Sequence, residues 1–345
     1  MSSRPIPEEL LPWALAALSL SSAEDLNLNI IAGDASNRRY FRLSVAAGTY
    51  VVADAPPATE KNAEFVAMRA TLAERGVRVP QIIAADVQQG YMLLEDLGDN
   101  TLLPLLDPDT VDKYYQLACE ILLKMAAGTP LPENMPAYDR ELLEEELSRF
   151  DQWFVEGLLD HDMSGAEREL VASLGNLLVE SALEQPRVLV HRDFHSRNLM
   201  LVGGDQLAVI DFQDAVTGPV TYDLVSLLRD CYIRWPESRV QQRVLDYRQS
   251  LLSSGLIQGV DEAQFQRWFD WMGLERHIKV LGTFARLYLR DGKRGYLDDL
   301  PMVIGYVQST LEKYAATEPV FAKFRDWFNS ELMPLVDSQP WSSQS

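Results

Sequence analysis

The spacing of apolar and polar positions changes once along the chain, near residue 100. Before that point short runs at 26–32, 40–45, 49–53, 81–86 and 91–95 alternate or form brief apolar blocks, as strands do. Ala47-Gly48 and Gln88-Gln89-Gly90 separate neighbouring runs as turns. Two segments keep helical spacing instead. Residues 8–20 carry Leu11, Leu15 and Leu18 on one face, and residues 59–75 run into Gly76, a natural helix stop. Beyond residue 100 the period is helical over about 109–127, 139–159, 165–184, 222–234, 238–254, 262–289 and 304–332. The pattern predicts an α+β chain: an antiparallel five-stranded lobe with one inserted helix over 1–98, and a mainly helical lobe over 99–336. Residues 337–345 are expected to form a disordered tail.

One stretch interrupts the helical series. Val188-Leu-Val-His-Arg-Asp-Phe-His-Ser-Arg-Asn-Leu-Met-Leu-Val202 reads as a strand, a polar loop and a second strand. Gly203-Gly204-Asp205 turns it into a third, which ends in Val209-Ile-Asp-Phe-Gln-Asp214. Asp193 and Asn198 stand five apart, and the hairpin returns Asp211 to the side from which Asn198 departs. Alone, an Asp and an Asn in a loop would be turn and cap residues. With His191, flanking strands and a carboxylate at hairpin distance, they form the set that phosphoryl transfer requires. Asp193 would orient or deprotonate the attacking hydroxyl, while Asn198 and Asp211 would hold Mg²⁺ against nucleotide phosphates.

His191-x-Asp193-x4-Asn198 followed by Ile210-Asp211-Phe212 resembles the catalytic and metal loops of the protein-kinase-like fold. Two details resemble its small-molecule branch, the aminoglycoside phosphotransferases and choline kinases. Position 195 is His where protein kinases usually carry Lys, and Thr217-Gly-Pro-Val-Thr-Tyr-Asp223 leads straight into a helix with no long activation segment. Gly33-Asp-Ala-Ser-Asn-Arg-Arg-Tyr-Phe-Arg42 and Leu94-Glu-Asp-Leu-Gly98 resemble, more narrowly, the bacterial N-acetylmuramate/N-acetylglucosamine anomeric kinases of cell-wall recycling. The resemblance implies a two-lobe fold hinged at 96–100, ATP as donor, Mg²⁺ as cofactor and an amino sugar phosphorylated on C1. A kinase of an aminoglycoside or choline-like acceptor, and a nucleotide-binding regulator without transfer, are the rival readings.

By the same resemblance, residues 33–39 take the place of a glycine-rich loop, where Ser36, Asn37 and backbone N–H groups would meet the phosphates. Backbone groups of Glu95 to Leu97 would meet adenine. The third strand, Thr49-Tyr-Val-Val-Ala-Asp54, lacks the Lys that kinases place there. The phosphate cation is then expected from Arg38, Arg39 or Arg42, whose planar fork suits phosphate, or else from Lys61. Glu64 is expected to partner that cation or to lie solvated on its helix. His191 is expected to pack beneath the loop and His195 to stand behind Asp193. Arg197 would neutralise phosphate or pair at the surface, Asp223 would cap or brace the loop, and Asp214 reads as structural. Residues 223–235 and 268–290 carry the aromatic and charged side chains of a sugar pocket, with Arg229 and Arg234 as candidate substrate contacts.

Composition narrows the partners. The formal charge of −20 repels nucleic acid and anionic membrane, so neither is expected to bind. No apolar run approaches the roughly 20 residues of a membrane span. Cys119 and Cys231 are isolated, as in a reducing compartment, and the first residues lack the pattern of a signal peptide. A cytoplasmic enzyme is the expectation.

Overall fold

The computed structural model describes residues 4–20, 26–31, 37–128 and 135–342. Two compact units divide the chain: Met1–Thr110 with Arg197–Ala215, and Val111–Ser196 with Val216–Ser345. The boundary at Ser196 falls inside the polar loop that carries Asp193 and Asn198.

The first unit begins with α1 (Leu10–Ala17), β1 (Leu28–Ile30), β2 (Arg39–Val45), β3 (Gly48–Asp54), α2 (Asn62–Glu74), β4 (Ile82–Asp86) and β5 (Tyr91–Glu95). Its sheet runs in the order β1-β2-β3-β5-β4, antiparallel throughout. Period-two patterning sets its faces: Phe41 and Leu43 are buried in β2. They pack with Val52, Leu93 and Tyr91 against Leu10, Ala14 and Leu15 of α1. Each large apolar side chain so buried contributes about 1.5–3 kcal/mol, which fixes the register.

The second unit opens with α3 (Val111–Ala127), α4 (Arg140–Arg149), α5 (Gly165–Leu183) and β6 (Arg187–Val190). Ser164 caps α5 in a reciprocal box with Glu167, which explains its sharp start. The helix expected over 139–159 changes hydrogen-bond register at Phe150 and continues as a π-helical stretch to Leu158. Next come β7 (Leu199–Val202) and β8 (Gln206–Val209), a hairpin of the first unit that turns on Gly203 and Gly204, both at positive φ. After it β9 (Val216–Pro219) returns to the second unit and pairs antiparallel with β6. The sequence shows residues 217–223 only as a connection into a helix, because a four-residue strand ending in Gly-Pro carries too little periodicity to stand out.

The remaining helices are α6 (Tyr222–Leu228), α7 (Glu237–Ser253), α8 (Glu262–Leu289), α9 (Leu300–Tyr314), α10 (Pro319–Trp327) and α11 (Met333–Asp337). Two expectations are corrected here. The helix expected over 222–234 stops at Leu228, where Asp230 turns the chain by accepting the Tyr232 N–H. The single helix expected over 304–332 is broken, because Pro319 lacks an N–H and starts a new helix. Past α11 the described residues do not stand clear of the fold: Trp341 is buried in the helical core, contrary to a disordered tail from 337. Among the described residues no helix is long and apolar enough to cross a membrane.

Helix α8 runs through the centre of the second unit and is buried along most of its length. At Gly282 a Cβ would lie 2.3 Å from the Arg149 carbonyl carbon and 2.6 Å from the Phe150 nitrogen, so the backbones touch where α4 gives way to the π-helical stretch. Gly282→Ala is expected to destabilise the protein by about 1–3 kcal/mol in denaturant unfolding. Gly175→Ala on α5, where the nearest atom is a Leu147 methyl at 3.5 Å, should be neutral or stabilise by up to about 1 kcal/mol.

Candidate active site

In the second unit the loop after β6 is held by Asp223 at the start of α6. Its two carboxylate oxygens accept the His191 N–H at 2.6 Å and the Arg192 N–H at 3.0 Å. Burial pushes the Asp223 carboxyl up to about 6, against the pull of those N–H donors and nearby cations. Arg192 takes a left-handed backbone, φ 78°, and sends its guanidinium to Glu146 and over the Tyr138 ring. His191 is buried, and its Nδ1 accepts the Asp193 N–H at 3.3 Å. Further along, Asp230 accepts both the N–H and the hydroxyl of Ser196, at 2.9 and 2.5 Å.

This bracing leaves the Asp193 side chain 52% exposed, open to an incoming group. Desolvation raises its pKa, but Lys279, His195, Arg276 and Arg192 outweigh it and hold the carboxyl at about 2. Arg276 Nη2 lies 3.8 Å from Asp193 Oδ1, and its Nε donates to Ser226 Oγ at 2.7 Å. Lys279 Nζ bridges Glu146 at 2.8 Å and the Tyr222 hydroxyl at 2.9 Å. Burial lowers the His195 pKa against the pull of Asp230 and Asp193; its edge faces Tyr232, and among the described residues no hydrogen bond reaches its buried Nδ1. Neither Arg276 nor Lys279 was singled out from sequence. The signal was present: Glu275-Arg276-His277-x-Lys279 places charges in an otherwise apolar stretch of helix, where unpaired they could not be buried.

In the first unit the β7–β8 hairpin sets Asn198 beside Asp211. The Ile210 N–H donates to the Asn198 carbonyl at 3.1 Å, one step beyond the strand pairs. Asn198 Nδ2 lies 3.5 Å from Asp211 Oδ2, and Gln213 donates to Asp211 Oδ1 at 2.8 Å. Asp211 adopts a left-handed backbone, φ 63°. Phe212, buried, packs tilted against Phe65 of α2, with ring centroids 4.8 Å apart. An amide oxygen and a carboxylate are hard donors that suit Mg²⁺. Among the described residues no group of three or more His, Cys, Asp or Glu is placed to hold an ion.

The other predicted residues are distributed as follows. Ser36 lies outside the described residues. Asn37 is exposed, and its N–H donates to Glu60 at 3.0 Å. Glu60 also faces Arg38 at 3.8 Å, so it, and not the exposed Glu64, is the acid beside this loop. Arg38 is buried, with its guanidinium over Phe65. Arg39 is held by Asp54 at 2.5 Å, and Arg42 forks onto Asp96 and Asp99 at 2.7 and 2.8 Å. Glu95 pairs with Arg78, and Leu97 is half-buried. Arg197 is exposed. Arg229 is buried between Asp270 at 2.7 Å and Glu237 at 2.9 Å over the Phe269 ring, an internal ion pair unsuited to a substrate contact. Arg234 is exposed and stacks on Tyr306, which stacks in turn on His277.

Residues 27–258 match the profile of the phosphotransferase enzyme family. The chain is 40% identical over 285 residues to an N-acetylmuramate/N-acetylglucosamine kinase of Pseudomonas putida, covering 83% of this chain and 84% of that protein. It is 39% identical over 308 residues to a protein of the same name from Neisseria meningitidis, covering 86% and 90%. Among solved structures it is similar to aminoglycoside phosphotransferase APH(4)-Ia, with TM-score 0.60 and 17% identity, over 90% of this chain and all of that one. The two-lobe kinase-like fold expected from the sequence is thus the fold of this chain.

Glu275, on α8 beside Glu146, is fully buried, and among the described residues neither of its oxygens has a hydrogen-bond partner. Burial, with the Glu146 charge, pushes its carboxyl up to about 8. Folding therefore takes up a proton, and stability falls as pH rises from about 4.5 to 8. Glu275→Gln should remove that loss: thermal melts are expected to show a variant close to wild type near pH 5 and increasingly more stable towards pH 8.

Proposed function

This chain belongs to the phosphotransferase enzyme family, and we propose that it transfers the ATP γ-phosphoryl to the anomeric hydroxyl of N-acetylmuramate or N-acetylglucosamine. The product would be the sugar 1-phosphate, ready for reuse in cell-wall synthesis. The names of the two curated relatives support an amino sugar as acceptor. The observation that carries the chemistry is Asp193: a half-open carboxylate kept ionised by Arg276 and Lys279 on a loop pinned by Asp223.

Phosphoryl transfer asks for positioning and charge neutralisation more than for covalent chemistry. Asp193 would accept a hydrogen bond from the C1 hydroxyl and aim its oxygen at the phosphorus. A carboxylate of such low pKa is a poor base for an ordinary alcohol, so proton transfer comes late, once the oxygen has begun to bond. An anomeric hydroxyl, more acidic than other sugar hydroxyls, suits that role. Asn198 and Asp211 would hold Mg²⁺, which when bound neutralises charge on the nucleotide phosphates. Backbone groups of residues 95–97 would receive adenine, and Asp223, through the His191 and Arg192 N–H groups, would keep the loop that carries Asp193 in place.

A screen of amino sugars, aminoglycosides and choline with ATP and Mg²⁺, read by phosphorus NMR, tests this reading. Phosphate on C1 of N-acetylmuramate or N-acetylglucosamine is expected; transfer to another position, or to the cationic acceptors alone, refutes it. Asp193→Asn should lower kcat by roughly 10²–10⁴ with little change in KM for ATP. Equally slow ATP consumption by variant and wild type with every acceptor would favour the non-catalytic regulator.

A further inference from the structure

We propose that Lys61 is the side chain that meets the nucleotide phosphates in place of the absent third-strand Lys, with Asp214 as the carboxylate that positions it. The proposal rests on the kinase reading above. Strand β3 offers no cation, since its buried positions are Val52, Ala53 and Asp54. The arginines nearest in sequence are committed. Arg39 gives Nε and Nη2 to Asp54 at 3.0 and 2.5 Å, and its fork also reaches the carbonyls of Arg4 and Pro5. Arg42 binds Asp96 and Asp99 through four hydrogen bonds of 2.7–3.0 Å, which raise its pKa still further. A phosphate would have to displace carboxylates at either one. Arg38 is 2% exposed against Phe65.

Lys61 differs in exposure and in place. Its side chain is 57% exposed, and Nζ lies 2.6 Å from Asp214 Oδ1, three residues beyond the metal carboxylate Asp211. The turn that carries it is fixed on both sides within the first unit. Glu60, its neighbour, accepts the N–H of Asn37, at the end of the segment whose sequence resembles a glycine-rich loop. Phe65, one helical turn later, packs with its ring tilted against Phe212, next to Asp211. Lys61 thus stands between the phosphate-loop end and the metal-loop residues, and it can turn its ammonium to a phosphate oxygen while keeping Asp214. The Lys–Glu pair of kinases has the same logic: a carboxylate holds the ammonium in place without burying it. An exposed pair of this kind adds little to stability, so variants at position 61 are expected to fold.

Calorimetric titration of ATP and adenosine in Mg²⁺, without sugar, tests the proposal on wild type, Lys61→Gln and Lys61→Arg. Lys61→Gln should weaken ATP by roughly 10- to 100-fold, the range of a charge-assisted hydrogen bond, and leave adenosine unchanged. Lys61→Arg should recover most of the loss, and Asp214→Asn should show a smaller loss confined to ATP. Unchanged ATP affinity in Lys61→Gln overturns the proposal, as does equal weakening of ATP and adenosine, which would mark a structural role. Wild type that binds neither ligand would overturn the kinase reading itself, a result distinct from either.

Discussion

A single buried carboxylate dictates how the reactive loop is presented. Asp223 receives two consecutive backbone N–H groups, and a carboxylate so placed demands both of them, since a buried charge without partners would cost several kcal/mol. Satisfying it turns the chain at Arg192 into a left-handed conformation that costs roughly 1–2 kcal/mol for a side-chain-bearing residue. The turn separates two neighbours by function. Arg192 goes inward to Glu146, and Asp193 faces out. Without that brace the loop has no reason to split them, and the acid would be free to fold back on the cations around it.

Those cations form the next layer. Glu146 is fully buried yet held at about 2: burial opposes its charge, and Lys279, Arg192 and the Tyr138 hydroxyl outweigh the cost. Such a network is expensive to assemble and contributes less to stability than an apolar core of equal volume. What it supplies is a fixed positive field beside Asp193. A carboxylate kept ionised by its surroundings orients a hydroxyl without competing strongly for its proton, which matches the demands of phosphoryl transfer. Helix α8 delivers Arg276 and Lys279 together because residues three apart share a helix face.

The first unit handles charge differently. With 51 acidic residues against 31 basic ones, arginines are readily claimed by carboxylates. Asp54 takes Arg39, and Asp96 with Asp99 takes Arg42. These pairs stitch β2 to β3 and to the segment after β5, where they serve the sheet. Lys61 is held differently, by an Asp214 carboxylate at the surface, which is why the proposed phosphate contact falls to it.

Sequence alone determined the strand-rich and helical halves, the five strands, the long helix over 262–289, and the hairpin that brings Asp211 back beside Asn198. All of these are local: alternation, helical spacing and short loops carry them within a few residues of chain. The family resemblance also marked Asp223 as a brace, and its carboxylate does accept the His191 and Arg192 N–H groups. Tertiary structure decided what depends on partners far away in the chain. Arg42 and Asp96 are 54 residues apart, Arg229 and Asp270 are 41 apart, and Arg276 and Asp193 are 83 apart, so no spacing rule joins them. Arg229 therefore read as a substrate contact and became a buried pair, while Arg276 and Lys279 passed unnoticed. A charged side chain shows its residue type in the sequence, but the opposite charge that determines its role is chosen only when the chain folds.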